Sequence, residues 1–158
     1  MAEHEARFLG TYPHGLDDKG RMVLPAKIRA QLGETCVLAK LDGCLGLWTP
    51  EGFLEVAAVF EDAVEDAEPG PARKKAMGAY RRFVGDALEV SPDQQGRIVI
   101  SQTLRDYADL GSEVVTTGLI RRAEIWNRER WLATTEEDDE ALAETISDRS
   151  MTGRRIAR

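Results

Sequence analysis

Asp17-Asp18-Lys19-Gly20-Arg21 is answered 76 residues later by Asp93-Gln94-Gln95-Gly96-Arg97, and this doubling decides how the rest of the chain is read. Both copies read D-x-x-G-R. An Asp and a Gly flank two polar residues, the composition of a tight turn. In each copy the Arg then opens an apolar, strand-forming run: Met22-Val23-Leu24 in one, Ile98-Val99-Ile100 in the other. The echo extends outward. Phe8-Leu9-Gly10 corresponds to Phe83-Val84-Gly85, with one residue more before the second motif. Ile28-Arg29 matches Leu104-Arg105, each on a short helical stretch that ends at Gly33 or Gly111. Leu47-Trp48-Thr49 answers Ile125-Trp126-Asn127, and Phe53 and Trp131 each follow five residues after the Trp. The chain is a tandem repeat of two half-domains.

At 158 residues and 42% hydrophobic composition, neither half is large enough to be comfortable alone, so the halves are expected to pack on each other. Cys36 and Cys44 lie in or beside apolar strand-like runs. With no leader pattern and no long apolar span, they read as buried thiols of a cytoplasmic protein. His4 and His14 lack ligand spacing to the cysteines, and neither a metal site nor a cofactor is expected. A net charge of −7 gives no general attraction to polyanions, so a nucleic-acid function must come from local patches.

In chain order, residues 1–7 read as a flexible N-terminus. A first strand is expected over 8–12, broken by Pro13-His14-Gly15, and a second over 21–24 after the motif turn. Pro25 suits the first position of a helix over 26–32. Strands over 35–40 and 44–48 are joined through Asp42-Gly43, a hairpin signal. Thr49 then caps a helix with Pro50 at its first position; Phe53, Val56, Ala57, Phe60, Ala63 and Val64 form its apolar stripe. Residues 51–68 hold seven acidic side chains and no Lys or Arg. Past Pro69-Gly70-Pro71 the charge reverses. Arg73, Lys74, Lys75, Arg81 and Arg82 on the next helix either face DNA or, as the more ordinary arrangement, pair with the acidic helix. The second half replays the first, and beyond residue 135 the acidic run 136–140 and the basic end offer a core little. The expected organisation is a first repeat over 8–68, linker and basic helix over 69–82, a second repeat over 83–134 and a charged, mobile tail over 135–158.

An Arg tethered by an Asp four residues earlier is restricted in rotamer, and its fork suits a guanine edge or a phosphate. Lys19 at the turn tip would add a phosphate contact. The alternative is that Asp17–Arg21 and Asp93–Arg97 are internal ion pairs that only fix the hairpins. No catalytic residues are assigned. In an aspartic hydrolase the two carboxylates share a proton, which an Arg beside each would prevent, and no Gly-rich loop precedes a helix to hold a nucleotide. Trp48, Trp126 and Trp131 read as packing residues; Tyr12 and Tyr107 stay undecided.

Phe8-Leu9-Gly10-Thr11-Tyr12, Leu16-Asp17-Asp18-Lys19-Gly20-Arg21, Leu24-Pro25-Ala26-Lys27-Ile28-Arg29, Gly96-Arg97 and Glu124-Ile125-Trp126 together resemble the MraZ family of bacterial transcriptional regulators, over roughly residues 8 to 134. The resemblance implies an α+β fold: two tandem AbrB-like swapped-hairpin halves forming one pseudo-symmetric, β-barrel-like unit with peripheral helices. It also implies a ring-shaped homo-oligomer, nucleoid-associated in the cytoplasm, bound to double-stranded DNA at direct repeats in the promoter of the division and cell-wall gene cluster. Neither a membrane nor a small-molecule substrate is implied. By position, Lys19, Arg21 and Arg97 would contact DNA, supported by Asp17, Gly20, Asp93 and Gly96. Gln95 stands where the first copy has Lys19, so the first motif is expected to contribute more. A protein-interaction scaffold or antitoxin-like partner binder on the same fold is the alternative, with the acidic helix and the tail as its surfaces.

Overall fold

The computed structural model describes residues 5–148. The halves are interleaved rather than juxtaposed. Strands β1 (Thr11–Gly15), β3 (Cys36–Lys40), β4 (Leu45–Trp48), β5 (Leu88–Val90), β7 (Glu113–Gly118) and β8 (Ala123–Asn127) form one antiparallel sheet in the order β1-β7-β8-β4-β3-β5. Strands β2 (Arg21–Val23) and β6 (Arg97–Val99) form a separate two-stranded ribbon. Among the described residues only β3–β4 and β7–β8 are local hairpins; the ladders β1–β7, β3–β5, β4–β8 and β2–β6 all join one half to the other.

Two of those ladders lie on a pseudo-two-fold axis. Met22 pairs with Ile98, its own repeat equivalent, in the ribbon, and Gly46 pairs with Glu124, its equivalent, at the sheet centre. The main core therefore draws on both halves at once: Phe8, Met22, Ile28 and Leu38 from the first, Ile98, Leu104 and Ile125 from the second, each at most 2% exposed. A half on its own would leave these side chains in water, at roughly 1.5–3 kcal/mol each.

The expected barrel is corrected to an open sheet. Its outer strands β1 and β5 do not pair with each other. Closure would need continuous edges, but β5 is three residues long and β1 carries Pro13, which has no N–H to donate. The same edge position explains a second difference. Pro13 does not break the first strand; it sits inside β1 opposite Val115, where an outward-facing nitrogen needs no partner. Phe8 makes only a lone bridge to Ile120.

Helices α1 (Ala26–Arg29) and α4 (Gln102–Tyr107) follow the ribbon strands and bury Ile28 and Leu104 in the main core. Helix α2 (Pro50–Asp66) begins as expected, with the Thr49 hydroxyl accepting from Gly52 N at 3.1 Å. Helix α3 (Pro71–Gly85) extends through Phe83-Val84-Gly85, so this tripeptide is helical and not a counterpart strand to Phe8-Leu9-Gly10. Phe83 stacks on Phe60 (4.4 Å between centroids) and Phe53 (5.2 Å) and meets Trp48 edge-on, closing a second core on the other sheet face. The expected salt pairing between these helices does not occur: among the described residues no ion pair links α2 to α3, and Arg82 turns to Asp86 instead. Aromatic packing holds the pair together.

Arg128 onward forms a separate unit, in which α5 (Arg128–Ser147) runs as helix across residue 135 and through the acidic pentad. The rest of the expected tail, residues 149–158, and residues 1–4 lie outside the described part. Among the described residues no helix is long and apolar enough to cross a membrane. Tyr12 and Tyr107 prove to be backbone braces, their hydroxyls donating to Leu9 O (2.8 Å) and Leu41 O (2.6 Å). Trp48 is a core residue, and Trp126 Nε1 donates to Glu124 Oε1 at 3.1 Å.

Candidate nucleic-acid interface

Both D-x-x-G-R segments fold into the same turn, bond for bond. In the first, Asp17 Oδ1 accepts from the backbone N of Lys19 (2.9 Å) and of Arg21 (2.8 Å), while Gly20 N donates to Asp17 O (3.0 Å). In the second, Asp93 Oδ1 accepts from Gln95 N and Arg97 N, both at 2.9 Å, and Gly96 N donates to Asp93 O at 2.9 Å. Aspartate is the residue for this task because one carboxylate oxygen ties the turn and leaves the other for the Arg. Gly20 and Gly96 each have φ +80°, which disfavours side chains, and a Cβ on Gly20 would stand 2.6 Å from Ile100 O.

The second oxygen of each Asp takes the Nε of its Arg: Arg21 Nε to Asp17 Oδ2 at 2.7 Å, Arg97 Nε to Asp93 Oδ2 at 2.8 Å. Both alternatives for the motif thus share one geometry. The ion pair is real, yet it uses only Nε, and among the described residues no bond to the protein engages either Nη of Arg21 or Arg97. The Nη edge is the one that makes two parallel hydrogen bonds to guanine or phosphate. The Arg21 backbone N–H, then its guanidinium, hold the Asp17 carboxyl below its ordinary value; Arg97 does the same for Asp93. The tethers stay ionised at neutral pH.

Ribbon register brings the two arginines together. Arg21 faces Val99 across the ribbon and Val23 faces Arg97, while Met22 and Ile98 between them point into the core. All four alternate residues share the outer face, with the Arg side chains 41% and 39% exposed. Lys19 is exposed at its turn tip, as is Gln95 at the equivalent place.

Two arginines join the site that sequence reasoning left on helix surfaces. Arg29 of α1 reaches the second turn, donating through Nη2 to Asp93 O at 3.2 Å, and Arg105 of α4 lies against Gly20, donating through Nε to Ile100 O at 3.0 Å. Each therefore serves the motif of the other half. Their repetition was visible as Ile28-Arg29 and Leu104-Arg105; the crossover follows only from interleaving. The two turns, the ribbon strands and the crossing arginines together carry Lys19, Arg21, Arg29, Arg97 and Arg105 against Asp17, Asp18 and Asp93, a local excess of cations on an anionic chain.

The family model "MraZ protein, putative antitoxin-like" matches residues 7–68 and again 83–154, one match per half. The chain belongs to the MraZ family. Curated relatives are transcriptional regulators of this family. One from Bifidobacterium longum is 38% identical over 149 residues, covering 94% of this chain and 95% of its own. Those from Moorella thermoacetica and Leuconostoc mesenteroides are 39% and 40% identical, each covering 89% of this chain and 97% of their own. MraZ proteins are regulators, not enzymes, and two AbrB/MraZ-like halves built from sheet and helix are what the fold displays.

Proposed function

We propose that this chain is a DNA-binding transcriptional regulator that occupies direct repeats in the promoter of the division and cell-wall gene cluster, its own operon, as a ring-shaped homo-oligomer at the nucleoid. One observation carries the reading: two tethered, partly exposed guanidinium groups stand on one face of a two-stranded ribbon with no protein partner at their Nη groups among the described residues. A two-stranded ribbon fits the major groove, where Arg takes O6 and N7 of guanine. Lys19 and the crossing arginines Arg29 and Arg105 hold the flanking phosphates.

A protomer with so few phosphate contacts binds weakly at physiological salt. A ring raises the affinity by roughly a hundredfold or more, because each bound subunit holds its neighbours at high effective concentration. Subunits related by rotation present ribbons of one polarity, which suits direct repeats about 10 base pairs apart rather than a palindrome. Footprinting of the region upstream of the chain's own gene tests the reading. Wild-type protein protects repeats at this spacing, and Arg21→Ala protein of unchanged oligomer size leaves them open. Equal protection by both proteins refutes it.

The scaffold reading draws on one feature, the outer face of α2. Leu54 and Val59 are exposed there beside carboxylates that have no cationic partner among the described residues. A regulator occupies the promoter and loses it with Arg21→Ala in a protein that still assembles; a scaffold occupies it in neither form.

A further inference from the structure

We propose that Val23 and Val99 read the 5-methyl groups of thymines beside the guanines taken by Arg97 and Arg21, so that the ribbon recognises thymine and guanine as neighbours. The inference rests on the DNA-binding reading above and supplies its base preference.

The ribbon's outer face holds two kinds of side chain in a checkerboard. Across the strands Arg21 stands opposite Val99 and Val23 opposite Arg97; along each strand an Arg and a Val alternate with one buried residue. Both valines are 53% exposed, and both occupy the same place in their repeat, two residues after the motif Arg. Strand propensity alone does not ask for Val there, because Thr fills an exposed strand position equally well and keeps a hydroxyl in water. A single exposed Val is ordinary. Two of them, interleaved with the only cations of the ribbon strands on the face offered to the groove, form a surface of alternating guanidinium forks and methyl pairs.

The major groove offers the complementary pattern. Guanine shows two acceptors for the fork, and thymine shows one apolar group, its methyl, standing out from the base edge. Cross-strand neighbours have Cβ atoms about 4.5–5.5 Å apart, and stacked bases follow at about 3.4 Å, so an Arg and its opposite Val fall on neighbouring bases. The long side chain reaches to the floor of the groove, and the short one meets the methyl that projects towards it. Thymine, not cytosine, is the base with such a group at that position.

The test uses the full-length protein and a fragment of DNA from upstream of its own gene, amplified with thymidine or with deoxyuridine, which lacks only the methyl. Burying one methyl group is worth about fourfold in affinity, so wild-type protein binds the deoxyuridine fragment at least about fourfold more weakly. Val23→Ser/Val99→Ser protein, checked for unchanged melting and oligomer size, binds the thymidine fragment more weakly and no longer separates the two. Two results overturn the inference: wild-type protein binding both fragments alike, or the double variant keeping the wild-type ratio. Failure of the DNA-binding reading looks different, since wild-type protein then retains neither fragment.

Discussion

Asp17→Asn sets two effects of opposite sign against each other. The amide oxygen still accepts from the backbone N–H groups of Lys19 and Arg21, so the turn survives. What is lost is Oδ2, the acceptor of Arg21 Nε at 2.7 Å, replaced by a donor that turns the guanidinium away. Because both partners are well exposed, the pair contributes little to stability. The melting temperature then moves by no more than about 4 °C. In DNA binding, releasing Arg21 adds an ordering cost of about 1 kcal/mol per protomer. Removing a carboxylate from beside the phosphates works the other way, but at ~7 Å in water it amounts to about 0.6 kcal/mol before salt screening and a few tenths after. Orientation therefore wins on the operator and loses on arbitrary DNA. Fluorescence anisotropy at physiological salt, with an operator fragment and a shuffled duplex of equal composition, should show weaker operator binding alongside slightly tighter shuffled binding. If the variant binds both duplexes more tightly, the Asp is only a misplaced negative charge and the tethering argument fails.

Gly20→Ala must place a side chain at φ +80° and 2.6 Å from Ile100 O, so it costs at least about 1–2 kcal/mol, whereas Gly78→Ala in open space on α3 stabilises by up to about 1 kcal/mol; thermal melts of the two variants should move in opposite directions. Cys36 and Cys44 are buried, and burial pushes both thiols up to about 12, so a thiol reagent at pH 8 should label neither until denaturant is added. Burial lowers the His14 pKa below 6.5, with Nε2 at 2.7 Å from Thr116 Oγ1 and Nδ1 without a partner. The folded state thus favours the neutral ring: its contribution is complete above pH 6.5 and falls as pH drops below it, and His14→Gln should flatten that part of the melting-temperature profile.

What could be read in the sequence is what local chemistry decides. The Asp-Gly turns, the Asp42-Gly43 hairpin, and Thr49 with Pro50 at a helix start depend on neighbours a few residues away. The pairing of β1 with β7 does not: it joins segments about a hundred residues apart, and no pattern in either specifies the other. Pro13 misleads for the same reason, since its tolerance depends on β1 being an edge. Phe83 misleads for a different reason. Ala76, Tyr80 and Phe83 recur at helical spacing, but likeness to Phe8 set that periodicity aside. The sequence shows Arg29 and Arg105 as repeated but not as site residues, because only the interleaving carries each to the other half's turn.

That interleaving also resolves how a chain of net charge −7 can offer a cationic face. Alternation along β3 sends Cys36 and Leu38 towards the ribbon and Val37 and Ala39 towards α2 and α3. The ribbon and the acidic helix therefore lie on opposite faces of the six-stranded sheet. Layers packed about 10 Å apart put the arginines some 20 Å from the α2 carboxylates, about two and a half times the ~8 Å screening length at physiological salt. At that distance the acidic surface scarcely weakens a phosphate contact, and it discourages DNA from settling on the wrong side of the sheet. The net charge describes the sum; in the proposed binding mode the duplex meets only the ribbon.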